Sequence, residues 1–317
     1  MRWYDLAKCE RGKGKLKTLG SQNRVQEIIM ILPMFIGFLL FVVYPVFWVI
    51  RWAWFQYDGY TTPVFLGIGN FTRAFFRDPV FWNSLKNTVF IAAVKLLLEI
   101  PLALVLAALV DSKIKGKAAF RVAYFLPSVL SVAVVGLIFS IMFSSYNGIV
   151  NDVLRSLGLI KKNINFLGRK ENAFVVIILV SLWTTFGMNM IYFIMGFQNI
   201  PKTLYECASI DGANALQKFF FITVPLLAPV LQLIIMLSFL GTLKMTDLIL
   251  VLTNGAPGGS TEVVMTYIFK YFFQYGDSQT RTQFGYASSL AVITAVILGI
   301  FTLIYLRVSK KMQEIED

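Results

Sequence analysis

The sequence predicts an all-α membrane protein with six transmembrane helices, and three observations carry that prediction. First, 57% of the 317 residues are hydrophobic, 15% are charged and the mean hydropathy is +0.70, whereas soluble domains hold roughly 45–50% apolar and about 25% charged residues. An apolar excess of that size cannot all be buried in one core, so much of the surface must be apolar too, and lipid is the solvent that accepts it. Second, the apolar residues come in runs of about 20, the length a helix needs to cross the hydrocarbon layer. Third, Lys and Arg fall mostly between those runs.

The spans run through residues 28–50, 88–110, 122–143, 173–197, 226–252 and 286–306. The first follows a long basic leader, 1–27, and continues through Tyr44, Pro45, Trp48 and Trp52 with no small-residue cleavage site. It therefore reads as a retained helix, not a cleaved signal. The fifth turns polar at Gly241, Lys244 and Asp247, which leaves its end open by several residues. The chain thus divides into a tail 1–27, a first helix 28–50, a five-helix transmembrane domain 83–307 with a long loop at 198–225, and a tail 308–317.

Basic residues in short loops favour the cytoplasmic side. With the N-terminus inside, sixteen Lys and Arg fall in inner segments, including Arg2, Lys8, Lys113, Arg121, Lys202 and Arg307, against eleven in longer outer loops. Both termini are therefore expected in the cytoplasm. Trp48, Trp52, Trp54 and Tyr57 suit the outer interface, where amphipathic rings are favoured.

The net charge of +12 follows from this loop bias and does not point to nucleic acid. The chain has no His, which removes the usual zinc ligand, triad base and proton shuttle. Cys9 and Cys207 make no disulfide framework. Gly12, Lys13, Gly14 and Lys15 lack the spacing and preceding strand of a phosphate-binding loop. No hydrolytic enzyme, metal site or bound cofactor is expected in this chain, and the energy for any transport must come from a partner or an ion gradient.

The loop 198–225 carries the densest local signals. Pro201 suits a first helical position, and a short helix is expected to about Ile210. Gly212 is a natural terminator, and Asn214 with Gln217 makes a capping-box pattern for a second short helix. Pro225 leads into the next span. Two short helices joined at a glycine form a compact knob that transmits a rigid push.

Within this loop Glu206, Cys207 and Ala208 are followed by three residues and Gly212, then by nine residues and Ile222, with Pro225 at the end. This resembles the EAA loop of permease subunits in bacterial binding-protein-dependent ABC importers, whose pattern is EAA, three residues, Gly, nine residues, I-x-L-P. Cys207 stands for Ala and Val224 for Leu, both mild changes. Asn83, Ser84, Asn87 and Thr88 are similar to the family's N-S-x-x-N-T, the stretch from Lys244 to Thr261 is similar to its carbohydrate-permease F-D and T-x-G-G-P elements, and Gly285 to Ser288 also agree. Together these stretches resemble most the maltose-type sugar permeases.

The resemblance implies the type I ABC importer permease fold, a location in the bacterial cytoplasmic membrane and alternating-access import of a sugar or oligosaccharide. It implies a dimeric cytoplasmic ATPase that binds ATP and Mg2+, a second homologous permease and an extracytoplasmic solute-binding protein. Leu204, Glu206, Cys207, Ala208, Asp211, Gly212 and Ala213 would form the coupling helix docked on that ATPase. Solute would pass Thr184, Thr185, Asn189 and Tyr192 of the fourth span and Ser238 and Thr242 of the fifth, with Trp183 or Tyr192 stacking on a sugar face. Asp247 matches the F-D position, a structural or gating contact.

Charges inside a membrane are functional suspects. Lys95 and Glu99 are four residues apart and able to pair, and Lys244 and Asp247, three apart, likewise. Ser and Thr also serve as small helix-packing residues, so each polar position has that second reading. The competing function is an ion-coupled secondary transporter, which needs no loop of the 206–225 kind.

Overall fold

The computed structural model describes residues 16–112, 115–274 and 281–316. Cys9, Lys113 and the basic leader from Arg2 to Lys15 lie outside the described residues.

The chain begins with α1 (Leu16–Phe38), which passes through a π-helical turn (Leu39–Val43) into α2 (Tyr44–Trp52). The wide turn has a local cause. Pro45 has no N–H to donate, and its ring would clash with the carbonyl of Phe41 in a regular helix. Within this unit the membrane-crossing stretch is Gln26–Trp52, and none of its most apolar window is buried in the chain itself. Beyond it a two-residue antiparallel ladder, β1 (Phe55–Gln56) with β2 (Val64–Phe65), leads to α3 (Gly69–Phe76). There Trp52 stacks on Tyr57 with ring centroids 4.3 Å apart.

The longest helices are α4 (Pro79–Asp111) and α15 (Phe284–Glu316). Pro79 opens α4 where a missing N–H is harmless, and Asp78 caps it by accepting from the Phe81 N–H at 3.0 Å. α15 continues past the expected end of the last span, so most of the tail 308–317 is helical.

Two of the six expected spans are broken, which corrects the sequence reading. The third divides into α5 (Lys117–Val129) and α6 (Val132–Met142), bent by 92° at Leu130 and Ser131. Pro127 in the last turn of α5 removes a donor just before the bend. After α7 (Ile149–Ser156), the fourth span is the unbroken α8 (Lys170–Gln198). The loop helices α9 (Lys202–Ile210) and α10 (Ala215–Lys218) follow, then a second π-helical turn (Phe219–Thr223) two residues before Pro225, and α11 (Val224–Leu226). The fifth span is α12 (Ala228–Leu243), which stops at Lys244; the chain restarts as α13 (Asp247–Leu252). α14 (Val264–Phe272) precedes α15. By length and composition the described residues supply four continuous membrane-crossing helices, and up to six spans if two bent pairs each count as one: α5 with α6, and the 215–226 segment with α12, which meet at 65° at Leu227.

Three apolar clusters hold the bundle. Ile91, Val135, Ile177, Val180, Leu248 and Ile249 join α4, α6, α8 and α13. Ala103, Ala107, Met190, Phe193, Leu227 and Ile234 join α4, α8 and α12 around small residues that allow close approach. Phe81, Leu85, Val264, Tyr271, Tyr286 and Leu290 join α4, α14 and α15. Between α13 and α14 the Gly-rich loop is tied to α4: Asn87 donates to the carbonyls of Ser260 and Glu262 at 2.9 and 2.8 Å, and Thr88 Oγ1 accepts from Val264 N–H at 2.9 Å. Two sequence motifs 170 residues apart are therefore one contact.

Candidate functional site

The break between α5 and α6 and that between α12 and α13 open onto one cavity of about 480 Å3, within the ~300–1,000 Å3 usual for small-molecule sites. Pro127, Ser128, Leu130 and Val132 line it from the first of these, and Lys244 to Leu248 from the second. Non-helical backbone at membrane depth is tolerated where protein buries it or where it lines such a cavity, so the breaks and the cavity account for each other.

Thr184, Thr185, Asn189 and Tyr192 on α8, Ser238 and Thr242 on α12, and Lys244 and Asp247 at the second break all line this cavity. α8 presents its four at helical spacing on one face. Trp183 does not line the cavity; its ring packs on Phe139, centroids 5.4 Å apart, so of the two expected stacking rings only Tyr192 is available.

The floor is a buried polar network. Lys95 Nζ lies 3.7 Å from Glu99 Oε2 and donates to Thr242 Oγ1 at 3.3 Å. Asn189 Nδ2 donates to Glu99 Oε1 at 2.9 Å and to Ser238 Oγ at 2.8 Å, and Thr242 Oγ1 donates to the Ser238 carbonyl. The network joins α4, α8 and α12. Glu99 is fully buried and Lys95 is 4% exposed, and removing one partner of such a pair costs roughly 3–5 kcal/mol because the other charge is left stranded.

Lys95 pairs with Glu99 as expected but also lines the cavity, as do Ser128, Ser181 and Thr246, which the sequence does not single out. An ammonium inside a membrane span was the available signal. The second expected pair does not form: among the described residues the ion pairs are Lys95–Glu99, Arg121–Asp111, Arg155–Asp152 and Lys270–Glu262. Lys244 ends α12 and Asp247 begins α13, so the helical turn that would have brought them together is absent. Asp247 sits instead in the first turn of α13, where a carboxylate favours the helix N-terminus.

At the far end of α8 and α12 the loop forms a knob. Pro201 is the N-cap of α9, one position earlier than expected, and the helix covers Lys202–Ile210. Gly212 has φ +80°, and the chain reverses there with Gly212 N–H bonded to the Ser209 carbonyl and Ala213 N–H to Ala208. Asn214 and Gln217 make the reciprocal capping box. Tyr205 OH to Thr223 Oγ1 at 2.8 Å and Lys218 Nζ to Ser209 Oγ at 2.7 Å clamp α9 onto the returning chain. Leu204, Glu206, Cys207, Asp211 and Gly212 are exposed, Ala208 and Ala213 half-buried. Among the described residues neither Glu206 nor Asp211 has an ion-pair partner. Ala208, Asp211, Gly212 and Ala213 border a shallow groove of about 370 Å3.

These features define a multi-span membrane protein with a midspan polar cavity and a rigid loop knob joined to it by two helices. Residues 99–314 match the family described as the binding-protein-dependent transport system inner membrane component, and the chain belongs to that family. It is 32% identical over 301 residues to the arabinooligosaccharides transport system permease protein AraP of Halalkalibacterium halodurans, covering 93% of this chain and 92% of that one. It is 34% identical over 241 residues to the lactose transport system permease protein LacF of Rhizobium radiobacter, covering 75% and 78%. Its fold matches a chain of the crystal structure of a bacterial ABC transporter involved in import of the acidic polysaccharide alginate, with TM-score 0.80 and 22% identity over 94% of this chain and 99% of that one.

Proposed function

We propose that this chain is the permease subunit of an ABC importer that carries a carbohydrate across the cytoplasmic membrane by alternating access. The cavity is the solute site, and the knob 204–212 is the coupling helix that docks on a separate ATPase dimer. The observation that carries the reading is the knob itself: the family's loop folds as a clamped two-helix projection with Glu206 and Asp211 exposed and, among the described residues, without an ion-pair partner. Such carboxylates offer charge-assisted bonds to basic groups on a partner.

ATP and Mg2+ then bind to the ATPase, and this chain is a non-catalytic subunit. A second, related permease completes the pathway, and an extracytoplasmic binding protein delivers solute. Both termini lie in the cytoplasm. Carbohydrate is favoured because relatives of similar length are sugar-transport permeases and because the cavity lining offers several hydroxyl groups, the Asn189 amide and one ring, Tyr192, for a sugar face. Lys244 and Asp247, in the hinge between α12 and α13, act as gating or structural contacts.

The test is to purify the tagged chain gently from native membranes and identify what accompanies it. Recovery of an ATPase and a second six-span permease, with sugar uptake that needs ATP, supports the reading. Recovery of this chain alone, active in ATP-free vesicles under an ion gradient, refutes it in favour of a secondary transporter.

A further inference from the structure

The cavity floor contains a charge that lies behind its wall. Glu99 is fully buried and does not line the cavity, yet its oxygens govern two groups that do, Asn189 and Lys95. A carboxylate only accepts hydrogen bonds, so the Asn189 amide must turn its NH2 toward Glu99 Oε1, at 2.9 Å. The second amide hydrogen goes to Ser238 Oγ at 2.8 Å. Both donors are thereby committed, and the group Asn189 keeps for a ligand is its carbonyl oxygen, an acceptor. Lys95 gives one hydrogen to Thr242 Oγ1 and faces Glu99 Oε2, an oxygen with no hydrogen bond of its own. Its third hydrogen remains as a donor. The lining also carries Lys244 and Asp247, one charge of each sign. The cavity is therefore balanced in charge, with an acceptor and a donor side by side on its floor.

We propose that Glu99 is a positioning residue for solute selection: by ordering Asn189 and balancing Lys95 it makes the floor read the hydroxyl groups of an uncharged sugar and disfavour a carboxylate-bearing one. The discrimination comes from withheld charge. An acidic sugar that enters gives up its hydration and meets no net positive charge in return. The inference rests on the reading of this cavity as the solute site.

The experiment uses the complete complex in nanodiscs, without the binding protein, so that only the transmembrane site is read. Saturation-transfer NMR compares α-1,4-galactobiose with α-1,4-digalacturonate, which has the same skeleton with carboxylates in place of hydroxymethyl groups. The wild-type complex is expected to favour galactobiose. In Glu99→Gln the side chain still accepts from Asn189 but Lys95 is left unbalanced, and the preference should move at least tenfold toward digalacturonate. Lys95→Met together with Glu99→Gln should restore the preference for the neutral sugar. A merely structural role would weaken both sugars equally, and that result, or an unchanged ratio in assembled Glu99→Gln complex, overturns the proposal. If Glu99→Gln does not assemble, Lys95→Met alone decides: the ratio should move further against digalacturonate, and an unmoved ratio overturns the proposal. Failure of the underlying reading looks different. Sugar signals would then survive Gly241→Phe, a substitution that fills the cavity.

Discussion

Gly212 offers the sharpest test of how the knob works. It holds φ +80°, and a Cβ built there meets no atom within 4 Å. A side chain at 212 therefore acts through the backbone and not by collision within the chain. An L-residue in the left-handed region costs roughly 1–2 kcal/mol, with Asn tolerated better, and that range lowers the population of the native turn by a factor of about 5–30. The bonds at risk are Gly212 N–H to Ser209 O at 3.2 Å and Ala213 N–H to Ala208 O at 2.9 Å, which fix the angle between α9 and α10. Replacing Gly212 by Asn, Ala and Val gives a graded series in the same open space. The assay is sugar moved per ATP hydrolysed by the complete importer in proteoliposomes. Asn should stay near wild type, Ala should fall, and Val should fall furthest while hydrolysis continues. Wild-type coupling in the Val variant would refute the reasoning. So would equal damage from Asn and Val, because side-chain size at a docked surface would then matter and φ would not.

Gly241 lines the cavity, and a Cβ there also finds open space within 4 Å. Gly241→Phe should abolish sugar uptake at normal assembly, and retained uptake would move the solute path elsewhere. At Gly187 the added Cβ would lie 1.9 Å from the Tyr124 carbonyl oxygen, so α5 and α8 must part. Gly187→Ala should lower the thermal midpoint of the purified chain by an overpacking cost of about 1–3 kcal/mol or more, whereas Gly299→Ala, with open space around it, should not. Asp58 accepts from the backbone N–H and hydroxyl of Thr61 and the N–H of Tyr60, which hold its carboxyl at about 2 against an ordinary 3.8. Because the folded value lies below the unfolded one, this turn's contribution is complete above about 3.8 and is lost as pH falls through about 2. Carbon-13 NMR of the labelled carboxyl should titrate near 2; a midpoint near 4 would mean that the turn does not hold.

The spans were legible because the bilayer imposes the same demand, an apolar run of sufficient length, on each of them. The breaks were not. A hydropathy window averages across Leu130 and Ser131, whose neighbours are as apolar as any span, and the bend becomes tolerable only because a cavity lies beside it. The other break, between α12 and α13, explains the failed Lys244–Asp247 pair, since an i, i+3 pairing presumes a continuous helix. The knob was legible from local chemistry: Gly212, Asn214 and Gln217 act within a few residues of themselves. The polar cavity residues stood out because a hydroxyl or amide in an apolar run needs a partner. Which partner is a tertiary fact, so the place of Lys95 in the wall and the turning of Trp183 toward Phe139 were out of reach.

The cavity and the knob are joined by the two helices that also carry most of the polar groups. From Asn189 to the end of α8 at Gln198 is nine residues, about 14 Å of helix, and from Ala228 to Ser238 on α12 about 15 Å. Each helix runs into the knob, α8 directly and α12 through α11 and the π-helical turn. At the floor they are bonded to each other by Asn189 Nδ2 to Ser238 Oγ, and both are bonded to α4 through Glu99 and Lys95. A force applied at α9 would therefore reach the cavity along α8 directly and along α12 beyond its 65° bend at Leu227, two helices that are fastened together beside the cavity. For the cavity walls to move apart, either those bonds part or the hinges at Leu130 and at Lys244 to Thr246 flex. Flexing at those breaks, or at the 65° bend at Leu227, would leave the floor network intact, and α8 and α12 would then move as one body.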